Sequence, residues 1–369
     1  MSRMCHACIL TDELSSVTVD NSGLCNYCTE ELSPSDAAEK RDYAKLEKEL
    51  SEIISTHKDT GEYDCLVTFS GGKDSTYALY LAKRKYGLKP LAVTMDHWFL
   101  TDDTKRNIET VTQALEVDHI IVRYSWDTWR RLYRSFVVAS GSAPRGVCWP
   151  CNFVSERILY ETLQRYHIPL YIPGNSGSEV DLFGGWLGKW IQFFDYQRTG
   201  NDNYDYWKIW RLAYVHLLKS ILSPDDYDLI DKVIPPDPQP DDQALKTKTF
   251  PILGYVPYNL ESTIQIITNE LGWRLPQDVS GTQNDCYAMA FNTAQFRRLY
   301  GSEEYARQIA QIVREGGTTR EIGLRALQYN EQVVSDQVMA KLGLTWDDIA
   351  SKPCLPQLQG WLDLLKPIK

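Results

Sequence analysis

Short apolar runs alternate with amphipathic stretches from Tyr63 onward. Tyr63 to Phe69, Pro90 to Met95, His119 to Val122 and Pro169 to Ile172 are rich in β-branched and apolar side chains and are bounded by Pro, Gly or Asp, so each predicts a strand. Between them Thr76 to Lys85, Thr104 to Leu115, Trp126 to Val138 and Phe153 to Tyr166 repeat apolar positions at helical spacing. Strands joined through helices need crossover connections. The expected fold is therefore α/β, a doubly wound parallel sheet, over residues 61–185.

The pattern changes outside this block. Residues 33–60 read as a polar, charged helix beginning at Ser33-Pro34-Ser35-Asp36 and linking residues 1–32 to the sheet. Residues 186–245 carry an aromatic-rich insertion and the stiff segment Pro235 to Pro240. Phe193, Phe194, Tyr196, Tyr204, Tyr206, Trp207, Trp210 and Tyr214 suit either stacking on a sugar or base, or packing against a helix. Residues 246–369 are expected to be mainly helical and to complete the site, with helices over Thr263 to Leu271, Thr293 to Tyr300, Glu303 to Glu315 and Thr318 to Tyr329.

Composition narrows the classes. A chain of 369 residues with 43% hydrophobic and 24% charged content can bury a large core. It lacks an apolar run long enough to span a bilayer, roughly eighteen residues, and Met1 to Cys5 lacks the apolar stretch of a secretory leader, so no membrane partner and a cytoplasmic location are expected. The net charge of −10 favours a small-molecule acceptor over a nucleic acid, whose phosphates are usually gripped by a basic surface. A homodimer is compatible with this composition.

Ser70-Gly71-Gly72-Lys73-Asp74-Ser75 follows the first strand and precedes a helix. Glycines there let backbone N–H groups crowd an anion, Lys73 adds a point charge, and the helix N-terminus adds partial positive charge, so the ligand is expected to be a nucleotide. The Walker pattern is excluded, because Lys73 is followed by Asp74 rather than Ser or Thr. In an open parallel sheet ligands sit beyond the carboxyl ends of the strands, where Asp96-His97 and Gly174-Asn175-Ser176-Gly177-Ser178-Glu179 are also expected.

Two cysteine sets stand apart. Cys5-x-x-Cys8 and Cys25-x-x-Cys28 can place four thiolates around one tetrahedral ion, Zn²⁺ for preference, with an iron–sulfur site or disulfides as alternatives. Metal would there replace the core that so short a segment cannot build. Cys148-Trp149-Pro150-Cys151 precedes an amphipathic helix with Val154, Ile158 and Leu159 inward and Glu156, Arg157 and Glu161 outward. Such a pair points to metal, redox chemistry or sulfur handling.

The SGGKDS string resembles the PP-loop of the ATP pyrophosphatase superfamily, whose members cleave ATP to AMP and pyrophosphate and attach AMP to an acceptor oxygen. The resemblance implies ATP and Mg²⁺ held by Ser70, Gly71, Gly72, Lys73, Asp74, Ser75 and Thr76, with Asp96, Gly174 and Asn175 nearby and Glu179 or Asp181 as an acidic member. Lys73 and Asp74 would be catalytic. The order from Cys148 to Asn175 is similar to that of PP-loop thiolases that modify transfer RNA, which hold a [4Fe–4S] cluster through three cysteines. That likeness implies Cys148, Cys151 and Cys286 as cluster ligands and catalytic residues, leaving Cys65 and Cys354 structural.

The layout also resembles the N-acetyl sugar amidotransferases, through the N-terminal cysteines, Gly61-Glu62-Tyr63-Asp64 before the loop, and Leu271-Gly272-Trp273-Arg274. That family draws ammonia from a separate glutaminase. Because ammonia transfer does not require Cys148 and Cys151, the favoured expectation is sulfur transfer to an activated oxygen of a small molecule, by cluster or by persulfide. A sulfur donor is then the expected partner. Amidation of a nucleotide sugar or similar acceptor with a glutaminase partner is the alternative, and transfer RNA thiolation the second.

Overall fold

The computed structural model describes residues 2–14, 17–30, 42–140, 147–174, 201–276, 285–289, 291–292, 294, 306–314, 316–326 and 332–349. Its sheet has five strands: β1 (Cys65–Thr68), β2 (Pro90–Met95), β3 (Asp118–Val122), β4 (Leu170–Ile172) and β5 (Lys248–Thr249). Their order is β3-β2-β1-β4-β5 and every pairing is parallel. The first four agree with the apolar runs. β5 was not expected, because two polar residues carry no periodicity; it forms because Lys248 and Phe250 donate backbone bonds to Pro169 and Tyr171, each 2.9 Å.

The described helices are α1 (Asn26–Glu30), α2 (Tyr43–His57), α3 (Lys73–Tyr80, extended by a π turn over Leu81–Lys85), α4 (Asp102–Leu115), α5 (Trp126–Ser140), α6 (Cys148–Tyr166), α7 (Asn201–Ile221), α8 (Asp228–Val233), α9 (Leu260–Leu271), α10 (Ala306–Arg314), α11 (Arg320–Ala326) and α12 (Gln332–Leu342). α2 lies within the expected linking helix, with Asp42 accepting from the Lys45 N–H as its cap; the start proposed at Ser33 lies outside the described residues. The expected helix from Thr293 to Tyr300 lies mostly outside them too, whereas α12 was not expected.

Alternation along the central strands sorts their side chains onto two faces. Leu66, Leu91 and Val93 pack with Trp129, Tyr133 and Phe136 of α5, Phe153 and Ile158 of α6, and Leu218 of α7. Cys65, Val67 and Ala92 face the other way, onto Leu79 of α3, Val111 of α4 and Ile267 of α9. Helices on both faces explain why these strands read as continuous apolar runs. A third, smaller core joins Ile9, Leu10, Val17 and Val19 to Met289 and to Ile309, Ala310 and Val313.

Trp207, Trp210 and Tyr214 belong to the first of these layers. Trp207 meets Tyr160 at 5.1 Å between ring centroids, and Tyr214 meets Phe153 at 4.4 Å. Packing is thus their use; Phe193, Phe194 and Tyr196 lie outside the described residues. Arg157, expected to face outward, instead donates to the carbonyls of Asp231 and Ile234 at 2.5 and 2.7 Å and so fastens the end of α8. Within the Pro-rich segment Pro235 and Pro238 are buried. No helix among the described residues is long and apolar enough to cross a membrane.

Phe153 is fully buried between Phe136 and Tyr214. Phe153→Ala should lower unfolding free energy by about 3–5 kcal/mol, measured by urea titration.

Candidate active site

The connection reverses at β1, which has β2 on one side and β4 on the other, so a crevice opens beyond the carboxyl ends of β1 and β4. The SGGKDS loop stands in it. Gly71 adopts φ +83°, and a Cβ there would lie 2.6 Å from Ile108 Cγ1 of α4, so both conformation and space require glycine. The Gly71 carbonyl accepts from Trp273 Nε1 at 2.9 Å. Trp273 is delivered to that point by Gly272, whose left-handed conformation ends α9.

Inside the loop, Ser75 Oγ accepts from the Ser70 N–H and donates to the Gly72 carbonyl, each at 3.2 Å, and the Gly72 N–H reaches Ser70 Oγ at 3.3 Å. Gly174 closes the β4 side. Its N–H donates to Thr68 Oγ1 at 3.1 Å, and a Cβ at 174 would come within 2.2 Å of the Thr68 carbonyl and 2.7 Å of Ser75 Cβ. Asn175, Glu179 and Asp181 lie outside the described residues. Thr76, expected among the ATP contacts, is fully buried within α3, its hydroxyl unpartnered among the described residues.

Lys73 Nζ donates to Asp74 Oδ2 at 2.7 Å, while Tyr258 donates to Asp74 Oδ1 at 2.5 Å. A second carboxyl, Asp285, was missed as a site residue. It accepts from the Ser70 hydroxyl and faces Lys73 and Asp74; burial raises its pKa above the ordinary aspartate value. Its Oδ2 would lie 3.2 Å from a Cβ on Gly72. These groups offer an anion a glycine cradle and a lysine, and a Mg²⁺ ion a carboxylate.

Asp96 sits at the end of β2 as expected, but its oxygens are already engaged. One accepts from the Trp98 N–H at 2.9 Å and the other from Arg123 Nε at 2.8 Å, and although burial opposes ionisation, these donors hold its pKa below the ordinary value. These are a local turn and an ion pair. Its neighbour His97 is buried against Trp129, with Nδ1 unpartnered among the described residues. Burial lowers the His97 pKa to about 4, Asp96 opposing that shift and Lys341 adding to it.

The second thiol set differs from expectation in one respect. Cys148 and Cys151 do not precede the helix; they form the first turn of α6, where a spacing of three puts both on one face. Cys286 joins them from the far part of the chain. Tyr133 has Cys151, Cys286 and Cys148 as its electrostatic neighbours, and its hydroxyl lies 3.1 Å from Cys151 Sγ. Asn292 Nδ2 donates to Cys148 Sγ at 3.0 Å. Burial pushes Cys151 up to about 12 and Cys286 well above its ordinary value, so both stay neutral thiols unless a metal stabilises the thiolate. Cys148, Cys151 and Cys286 pack against one largely apolar core, with hydrogen-bonding partners beside the first two, and thiols of this kind are suitable iron–sulfur ligands.

Segment 285–287 connects the two sets. The Thr101 N–H donates to the Asp285 carbonyl at 3.2 Å, Cys286 forms an antiparallel bridge with Leu100, and the Tyr287 N–H donates to Phe99 at 2.8 Å. Asp285 thus stands beside Gly72 of the phosphate loop, while the next residue packs against the core that Cys148 and Cys151 also join.

The N-terminal cysteines form a separate centre. Among the described residues they are the one group of three or more potential metal ligands whose donor atoms all lie within 4.8 Å of one another. Cys5 and Cys28 sulfurs are 3.7 Å apart and Cys8 and Cys25 sulfurs 3.6 Å, close to the edge of about 3.8 Å set by a tetrahedron with Zn–S bonds of roughly 2.3 Å. Backbone N–H groups of Cys8 and Cys25 point at Cys5 Sγ. Although burial opposes it, these donors and Ala7 lower the Cys5 pKa to about 7. The donor set fits Zn²⁺. Arg320 ties this knuckle down through the Cys5 and Cys8 carbonyls.

No family model matches the chain. In sequence it is similar to an uncharacterized protein of Methanocaldococcus jannaschii, 40% identical over 81 residues. That match covers 22% of this chain and 29% of the relative, well under two thirds of its length. Among solved structures it is similar to NMN synthetase from Francisella tularensis, at 19% identity and TM-score 0.29, over 42% of this chain and 59% of the other. It is also similar to an NH₃-dependent NAD synthetase from Campylobacter jejuni, in complex with nitrate, at 16% identity and TM-score 0.30, over 53% and 94%. A U34-tRNA thiolase, NcsA from Methanococcus maripaludis with its [4Fe-4S] cluster, aligns at 14% identity and TM-score 0.36, over 94% and 98%. TM-scores below 0.5 mark distant likenesses.

Elemental analysis should find one zinc per chain that persists in Cys148→Ser and is lost in Cys25→Ser; zinc retained in Cys25→Ser would contradict the tetrahedral site. The His97 pKa, near 4 folded and 6.5 unfolded, gives a signed expectation. Because the unfolded chain takes up the proton first, stability present above pH 6.5 should fall by about 3 kcal/mol as pH drops toward 4. Urea titrations should show His97→Gln losing that part of the pH dependence.

Proposed function

We propose that the chain is an ATP-dependent enzyme of the PP-loop type that adenylates an oxygen of a small-molecule acceptor and replaces that oxygen with sulfur. The observation that supports this reading is the pair Asp285-Cys286, the first residue standing beside Gly72 of the loop and the second packed against the same core as Cys148 and Cys151. An oxygen activated at the loop and a nucleophile kept beside the thiols would then share one crevice.

In the first step the acceptor oxygen attacks the α-phosphorus of ATP, a P–O bond forms and the bond to pyrophosphate breaks. Lys73 and the N-terminus of α3 stabilise the charge that gathers on the departing pyrophosphate, and Asp74 is the carboxylate placed to take the Mg²⁺ of MgATP. In the second, hydrosulfide attacks the activated carbon, the C–O bond breaks, and the oxygen leaves on AMP while the hydrosulfide proton passes to solvent. No oxidation state changes, so an electron donor is not needed.

Cys148, Cys151 and Cys286 would hold a [4Fe–4S] cluster. When bound, such a cluster would supply Lewis-acidic iron to the sulfur-transfer step. Tyr133 and Asn292 would orient the sulfurs, and the packed aromatic layer around α5 gives the three cysteines an apolar surrounding. The net charge of −10 supports a small acceptor over a nucleic acid.

Anaerobically reconstituted protein should absorb broadly near ~400 nm and lose that band in Cys286→Ser. With ATP and an acceptor, sulfide but not ammonia should drive release of AMP and pyrophosphate, and Lys73→Ala should slow it by roughly 10²–10³-fold. Colourless protein with all three thiols free would sink the cluster; AMP formation driven by ammonia would establish amidation instead.

A further inference from the structure

We propose that Asp285 is a positioning residue that occupies the phosphate cradle of the nucleotide-free chain, and that a bound nucleotide displaces it and thereby resets Cys286. This rests on the reading of SGGKDS as a nucleotide site. It goes beyond that reading by making the loop and the thiols a coupled pair.

Three geometric facts carry it. The Asp285 carboxylate stands beside the Gly72 position that Ser70 Oγ also borders, at 3.2 and 3.3 Å, and Lys73 acts on it electrostatically, so it lies where phosphate oxygens would come. It presses on the loop from the side where Gly72 has no Cβ, at 3.2 Å from where one would stand. Lys73 pairs with Asp74 at 2.7 Å and both act electrostatically on Asp285, so a second carboxylate already belongs to that cluster.

A nucleotide adds several negative charges to that cluster. Phosphate oxygens and the Asp285 carboxylate cannot both take the Ser70 hydroxyl, and like charges at contact distance in a partly buried site repel strongly. Rotation of Asp285 out of the cradle acts on a backbone stitched to Phe99, Leu100 and Thr101, with Cys286 as the next residue. Nucleotide binding and the environment of Cys286 are then linked. By reciprocity, whatever fastens Cys286 must alter nucleotide affinity by the same factor.

The test uses the full chain and α,β-methylene ATP, which lacks the bridging oxygen whose bond would break. In the unmodified protein, saturating analogue should raise the rate of iodoacetamide modification at Cys286, mapped by mass spectrometry, by at least about fivefold while Cys65, fully buried in β1, stays unchanged. Asp285→Asn should bind the analogue about tenfold more tightly in calorimetry, because the competing charge is gone, and its Cys286 rate should no longer respond.

If the analogue binds but Cys286 is unaffected, or if Asp285→Asn binds it no better than the parent, the coupling is overturned while the nucleotide reading stands. If the unmodified chain does not bind the analogue, both fall. The labelling of the unmodified chain needs no variant, so a misfolded Asp285→Asn would still leave a decisive result.

Discussion

Where β1 ends, the backbone turns through a left-handed conformation at Gly71 and exposes a carbonyl that must find a donor in a region shut off from water. Trp273 supplies it, 202 residues away in sequence. Unsatisfied, that carbonyl would cost about 1–3 kcal/mol, enough to let the loop adopt other turns. The bond explains why the phosphate loop is not a local motif here: α9, its Gly272 cap and the Trp273 indole are parts of the loop's foundation. Tyr258, which precedes α9, holds Asp74 in the same way.

Once the loop is fixed, the strand order does the rest. β4 lies beside β1, so Gly174 packs directly on Thr68 and Ser75, and α6, which leads to β4, begins with the cysteine pair. The chain then returns through Asp285-Cys286 between the two. Burial opposes the thiolate in both cysteine sets, and the backbone donors make the difference. In the knuckle, backbone donors favour a thiolate at Cys5, whereas around Cys286 the apolar shell keeps thiols neutral. A metal or cluster reverses the second situation, because a bound cation stabilises the thiolate directly.

The central strands were legible in the sequence because burial on both faces leaves an apolar run, as in Pro90 to Met95. β5 was not, since its pairing depends on neighbouring backbone rather than on its own side chains. The Cys148-x-x-Cys151 pair was found by composition, yet its place inside α6 was obscured by Pro150, a residue that a first helical turn tolerates. Gly71 and Lys73 announced themselves. Asp285, Tyr133 and Asn292 did not, because each acts on a group far away in sequence, and Trp273, although it stands in the segment Leu271 to Arg274 singled out above, gave no sign that its partner is the Gly71 carbonyl. Trp207 and Trp210 show the converse, aromatic residues that suit a ligand and instead serve the core.

The central claim is that oxygen activation and the thiols belong to one crevice. A crystal structure of the anaerobically reconstituted chain with α,β-methylene ATP, recorded at the iron absorption edge, tests it most directly. The account predicts an iron signal bounded by Cys148, Cys151 and Cys286, with the nucleotide phosphates on Ser70 to Ser75 and the α-phosphate facing that signal across open space. Iron confined to the Cys5, Cys8, Cys25 and Cys28 site, or an α-phosphate walled off from the three thiols, would contradict it.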